Sequence, residues 1–125
     1  MKNISLLKLT AEEAAYLAGF LDGDGSIILQ IIRQKSFTYG FTLRVSLTFF
    51  QKPSRNWFFS LLKEKLGNFG YLRNRTENVS EYTITSFSEV KQVLTVLLPY
   101  LRVKKNLGKL ALSIIERKPQ VKTKN

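Results

Sequence analysis

The most regular pattern in the chain is an alternation. Between Phe41 and Phe50 the residues Phe41, Leu43, Val45, Leu47 and Phe49 are apolar, and Thr42, Arg44, Ser46 and Thr48 between them are polar. A period of two puts the two sets on opposite faces of a strand. A second run, Ser26 to Ser36, sets Ile27, Leu29 and Ile31 against Ile28, Gln30, Ile32, Gln34 and Ser36. The join near Thr38-Tyr39-Gly40 predicts a hairpin turn. A shorter pair, Tyr71 to Arg75 and Glu81 to Thr85, predicts a second hairpin. Its polar side would hold Tyr71, Arg73 and Arg75 beside Glu81, Thr83 and Thr85, with Leu72, Tyr82 and Ile84 inward.

Helical segments separate and flank these hairpins. Thr10-Ala-Glu-Glu13 has capping-box spacing, which predicts a helix from Ala11 to about Asp22, ended by Gly23 and Gly25. Within it Ala14/Ala18 and Ala15/Gly19 stand four apart, and small pairs of this kind let a second helix approach closely. Pro53 and Ser54 open a helix running to about Leu66, with Trp57, Phe58, Leu61, Leu62 and Leu66 at helical spacing, and Gly67 to Gly70 breaks it. Phe87 to Leu97 is the next helix, stopped by Pro99, and Lys104 to about Glu116 the last, stopped by Pro119. The order α-ββ-α-ββ-α-α predicts an α+β fold, a four-stranded antiparallel sheet backed by helices on its apolar face. The 125 residues suit one domain spanning 1–125, with a short polar tail over 118–125.

Charge changes the picture of the polar face. Twenty Lys and Arg against nine Asp and Glu give a net +11. No acid falls between Asp24 and Glu64, where Arg33, Lys35, Arg44, Lys52, Arg55 and Lys63 lie. Arg73 and Arg75 form a second cluster; Arg102, Lys104, Lys105 and Lys109, continuing into Arg117, Lys118, Lys122 and Lys124, form a third. One such cluster is an ordinary solvated surface. Three in a domain of this size point to phosphate, with nucleic acid ahead of an anionic membrane. A two-stranded ribbon fits the DNA major groove, and ten residues of strand span ~33 Å, about one helical turn. No apolar run reaches ~18 residues, so no membrane span is expected. Met1 to Thr10 carries no secretory pattern, so the expectation is an intracellular protein in the compartment holding its nucleic acid, an organelle or a bacterial or archaeal cytoplasm.

Composition also limits the chemistry. With no His and no Cys, there is no Ser-His-Asp triad, thiol nucleophile, disulfide or His/Cys-ligated metal. A metal would need oxygen ligands, hence Mg²⁺, Mn²⁺ or Ca²⁺. Asp22-Gly-Asp-Gly25 is the candidate. An EF-hand is excluded, because the twelfth position from Asp22 is Arg33 and not Glu. A plain helix stop and a metal carboxylate both remain open on chemistry alone.

The segment Leu17-Ala-Gly-Phe-Leu-Asp-Gly-Asp-Gly25 resembles the LAGLIDADG motif. The likeness to single-motif, homodimeric homing endonucleases of group I introns runs on through Ser26-Ile-Ile28, Ser46-Leu-Thr-Phe49, Gln51-Lys52, Arg55, Trp57-Phe58, Tyr71-Leu-Arg-Asn-Arg75, Pro99-Tyr-Leu-Arg-Val-Lys104 and Ile114-Ile-Glu116. It implies the LAGLIDADG homing endonuclease fold. It further implies a site-specific, metal-dependent endonuclease that cuts both strands of a long pseudo-palindromic duplex across the minor groove, leaving short 3′ overhangs. Mg²⁺ is the implied cofactor, with Mn²⁺ or Ca²⁺ as substitutes and Ca²⁺ non-cleaving.

The resemblance assigns residues as follows. Asp24 and the Gly23 carbonyl would hold metal. Asp24, Gln51, Arg55 and Lys104 would form the catalytic set, with Gln51 positioning water and Arg55 and Lys104 stabilising transition-state charge. Ala14, Ala15, Ala18, Gly19 and Asp22 would lie at the dimer interface, Asp22 capping the helix end. Ile28, Gln30, Ile32, Gln34, Ser36, Thr42, Arg44, Ser46, Thr48, Tyr71, Arg73, Arg75, Glu81 and Thr83 would face DNA. Arg suits guanine and Gln suits adenine; Glu81 would accept from cytosine or hold an arginine. Relatives usually continue past the position of Pro119, which leaves outer phosphate contacts to the Lys122/Lys124 tail or to a longer chain. The same scaffold serves RNA maturases and non-cleaving DNA-binding proteins, and these are the rival readings.

Overall fold

The computed structural model describes residues 7–35 and 40–121, with side chains as far as 117. Ser36, the Thr38-Tyr39 part of the first turn and the Lys122/Lys124 tail lie outside the described residues. Helix α1 runs Ala11–Asp24, and strands β1 Gly25–Arg33 and β2 Phe41–Gln51 follow. A 3-10 turn at Pro53–Arg55 leads into α2, Asn56–Lys65. Strands β3 Tyr71–Asn74 and β4 Ser80–Ile84 make the second hairpin. Helix α3, Phe87–Leu97, passes through a 3-10 turn at Leu98–Tyr100 to α4, Lys105–Val121. The expected element order is therefore present.

The sheet order is β1-β2-β4-β3, with every pair antiparallel. Register places Ile27, Leu47 and Ile84 in one row, and Phe49, Tyr82 and Leu72 in the next. Against this face pack Leu17 and Leu21 of α1, Phe59 and Leu62 of α2, and Val90, Val93, Leu94 and Leu97 of α3. Tyr82 lies at the centre, stacked on Phe59 at 5.6 Å between ring centroids. Its hydroxyl donates to the Phe69 carbonyl, so the buried phenol keeps its hydrogen bond. Burial, with Glu89 adding to it, pushes the Tyr82 pKa up. Among the described residues no helix is long and apolar enough to cross a membrane.

At the start of α1, Thr10 Oγ1 accepts from the Glu13 amide at 3.1 Å, and Glu13 Oε1 accepts from the Thr10 amide at 3.0 Å. That is the reciprocal capping predicted from the sequence. Its other end differs from expectation, because α1 continues through Gly23 to Asp24. Gly25 makes the stop. A Cβ there would lie 2.8 Å from Leu21 Cδ1 and 2.8 Å from the Thr48 carbonyl oxygen, so the chain passes straight from helix into sheet only with glycine. Asp24 is thereby held on the last turn of a helix, next to the first residue of a strand.

Other expectations shift at element ends. Ile31 is 58 % exposed and Leu72 is 38 % exposed, although alternation turned both inward. They lie on the helix-facing side but at the rim of the sheet. On α2 the buried residues are Phe59 and Leu62, while Trp57 and Leu61 face out. Helix α4 begins at Lys105 and runs through Pro119 to Val121. Proline removes one hydrogen bond and crowds the preceding turn, and here it comes only in the last turn.

A candidate active site and DNA-facing sheet

The polar face of the sheet is continuous across all four strands. Register sets Ile32 opposite Thr42, Gln30 opposite Arg44 and Ile28 opposite Ser46. Next to these come Ser26, Thr48, Thr83 and Tyr71 in one row, then Phe50, Glu81 and Arg73. The side chains named from the sequence on the four strands thus share one surface, which Ser26 and Phe50 join; Gln34 lies just past β1, and Arg75 just past β3 beside Glu81. Both fit the alternation, and their positions relative to Thr48 were the signal for them. Gln30, Arg44, Tyr71, Arg73 and Arg75 stand exposed.

This face is less open than expected. Ser46, Thr48, Glu81 and Thr83 are buried. They are mostly short side chains on the two inner strands, flanked on both sides, and lie below the longer residues around them. Glu81 is the exception in length. Its Oε1 is 3.3 Å from Arg75 Nε, its Oε2 is 3.7 Å from Arg73 Nη2, and Thr83 Oγ1 donates to Oε2 at 3.1 Å. Of the two roles open to Glu81, holding arginines is the one its contacts match.

Where α1 meets the sheet, Asp24 is exposed. It lines a groove of about 560 Å³ with Gln51, Arg55, Ala15, Tyr16, Gly19, Phe20, Trp57 and Phe58. Gln51 ends β2 in the parity of Leu47 and Phe49, so it turns toward the helices and away from the polar sheet face. Arg55 Nη1 donates to Gln51 Oε1 at 2.8 Å, and the Lys52 amide donates to the same oxygen at 3.2 Å. Pro53 presets the intervening 3-10 turn. Three of the four residues expected to do chemistry therefore share one groove. The fourth, Lys104, reaches the same helix end through Asp22: Lys104 Nζ donates to the Asp22 carbonyl oxygen at 2.6 Å.

The small residues of α1 divide into two faces. Ala14 and Ala18 are buried in their own chain's core beside Leu17 and Leu21. They are not available to a partner, and their place at a dimer interface is corrected. Ala15 and Gly19 lie on the opposite, exposed face with Tyr16. A Cβ built on Gly19 or Gly23 would meet nothing within 4 Å. Nothing inside one chain calls for glycine at these helical positions, where it costs roughly 0.5–1 kcal/mol relative to alanine. The exposed aromatics Tyr16, not named from sequence, and Trp57, read there as an apolar helix position, border this face; each is 66 % exposed.

Asp22 also departs from expectation. Its carboxylate does not cap its own helix; it accepts from the amides of Arg102, Val103 and Lys104, ahead of α4. Burial acts to raise its pKa, but the amides of Arg102, Lys104 and Val103, with the Lys104 charge, bring the carboxyl below its usual value.

Residues 17–115 match the family model described as LAGLIDADG endonuclease. The chain belongs to the LAGLIDADG endonucleases. It is 39 % identical over 115 residues to DNA endonuclease I-CreI of Chlamydomonas reinhardtii, covering 92 % of this chain and 69 % of that protein. It is 37 % identical over 108 residues to DNA endonuclease I-CvuI of Chlorella vulgaris, covering 86 % and 66 %. The crystal structure of I-CvuI with its target in 2 mM Ca superposes with a TM-score of 0.83 at 34 % identity, over 89 % of this chain and 70 % of that one. The LAGLIDADG chain described here thus spans about two thirds of these relatives' length. It carries one copy of the motif, and its fold is theirs.

Proposed function

We propose that this chain is a site-specific homing endonuclease that acts as a homodimer and hydrolyses both strands of a pseudo-palindromic duplex with Mg²⁺. The observation that carries this reading is the shared groove of Asp24, Gln51 and Arg55 at the end of the motif helix, beside a polar sheet long enough for about one DNA turn. Solved structures of I-CvuI, on its own target in Ca and on the I-CreI target, not cleaved, in Mg, support duplex DNA and a divalent ion as partners.

Among the described residues, no three His, Cys, Asp or Glu side chains gather to hold a metal. At the end of the motif helix one chain offers one exposed carboxylate, Asp24, and the carbonyl of Gly23. The donors are oxygens only, which suits Mg²⁺. Two chains packed through the open Ala15/Gly19 face would bring two Asp24 carboxylates together, and the room around Gly19 and Gly23 supports that packing. When bound, the metal supplies an activated water and a counter-charge for the leaving oxygen. The chain's own residues do the rest. Gln51 fixes Arg55 and orients water. Arg55 and Lys104 place positive charge where it builds on the scissile phosphate. The sheet holds the duplex in register, its exposed Arg and Gln reading base edges.

The test is selection from a library of duplexes randomised over ~20 bp, about two helical turns. Recovery of a cut, pseudo-palindromic consensus is the expected result. Equal binding to all duplexes with no cut product overturns the reading.

A further inference from the structure

Asp22 lies two residues before Asp24, yet its side chain serves a different part of the fold. Its Oδ2 accepts from the Arg102 amide at 2.8 Å and the Val103 amide at 3.2 Å, and its Oδ1 accepts from the Lys104 amide at 2.9 Å. Its backbone carbonyl accepts from Lys104 Nζ at 2.6 Å. One residue thus binds both the beginning and the end of the Lys104 side chain.

We propose that Asp22 is the positioning residue for Lys104, setting its ammonium against the turn of α1 that carries Asp24. This rests on the endonuclease reading for Lys104's role. A free lysine spreads its charge over many rotamers and loses that freedom when its ammonium is held in one place. Three bonds from backbone amides to a carboxylate are charge-assisted, and they fix where the side chain starts. The carbonyl fixes where it ends. An ammonium has three donors, so two remain for a phosphate oxygen. Of the three residues Asp22 holds, Arg102 and Val103 point to solvent, Val103 with 81 % exposure, and only Lys104 is half-buried. The clamp therefore does more than anchor the turn ahead of α4: it selects Lys104.

Two measurements on the full chain test this. The first is amine labelling of the metal-free protein with an acetylating reagent, read by mass spectrometry for each lysine. Lys104 should react about tenfold more slowly than the exposed Lys109, and the two rates should approach each other in Asp22→Asn, which leaves the residue 22 carbonyl in place but loosens the turn that brings the Lys104 side chain to it. That variant keeps one acceptor oxygen, and its melting curve checks that it folds. Equal rates in the wild type, or a slow Lys104 in the variant, overturn the proposal. The second is a double-mutant cycle on single-turnover cutting of prebound DNA. Asp22→Asn should slow cutting about 10- to 100-fold with unchanged Kd, and should add nothing in a Lys104→Met background. Multiplying effects overturn the proposal. Convergent labelling in a protein that binds but never cuts supports the clamp and removes the endonuclease reading, so the two failures are distinguishable.

Discussion

Arg55 Nη1 donates to Gln51 Oε1 at 2.8 Å across the turn that joins β2 to α2. The bond makes Gln51 a holder of Arg55 as well as a polar group in the groove. Gln51→Ala should therefore cost more than one group's contribution. Cutting of prebound DNA should slow about 10- to 100-fold while Kd changes little, since the loss is of orientation rather than affinity. Single-turnover kinetics beside filter binding separate the two. A fall in affinity alone would place Gln51 in binding.

Glu81 holds Arg73 and Arg75 on the sheet face. Removing its charge releases two guanidiniums and leaves the interface more positive. Glu81→Gln should bind non-specific duplex more tightly, steepen the salt dependence by about one unit of slope, and relax selectivity at the bases those arginines face. Binding isotherms over a salt series, with a selection profile for the variant, check all three.

Ala18 is buried in the core and Gly19 is open. Leucine should act differently at these neighbouring positions. Ala18→Leu overfills the core and should cost about 1–3 kcal/mol of stability. Gly19→Leu should leave the single chain folded, since its open position takes the side chain without a clash, and shift the protein to monomer in sedimentation. A dimeric Gly19→Leu would remove this face from the interface.

The amide of Thr10 first, with the Lys65 ammonium 3.0 Å away, holds the Glu13 carboxyl below its usual pKa of 4.5. A lowered folded pKa contributes stability that is present above the unfolded value and lost as pH falls through the folded one. Wild type should thus melt above Glu13→Gln at about pH 6, and the two should converge as pH falls below the usual carboxylate value and through the lowered folded one. Parallel curves over that range would show that the carboxyl contributes nothing.

Much of this fold was legible in local pattern. Strict alternation from Phe41 to Phe49 gave strand and faces together, and Thr10 with Glu13 marked the start of the motif helix. What escaped depends on contacts distant in sequence. Ala14/Ala18 and Ala15/Gly19 have identical spacing, and only the side on which the sheet packs tells core from open face. The partners of Asp22 lie eighty residues away, so nothing beside it announced them. Ser46 and Thr48 read as wet because alternation reports a face and not the height of the neighbours on it. Gln51 and Arg55 were marked by resemblance, while their hydrogen bond follows from the turn at Pro53, which no periodicity describes.

The most direct test of the central claim is cutting of a supercoiled plasmid carrying the selected site, comparing wild type with Asp24→Asn in Mg²⁺. The wild type should yield linear product that chelation abolishes without releasing the protein from DNA, and Asp24→Asn should bind the same site and leave it intact. A wild type that binds the site and never cuts it in Mg²⁺ or Mn²⁺, or an Asp24→Asn variant that cuts at the wild-type rate, would contradict the account.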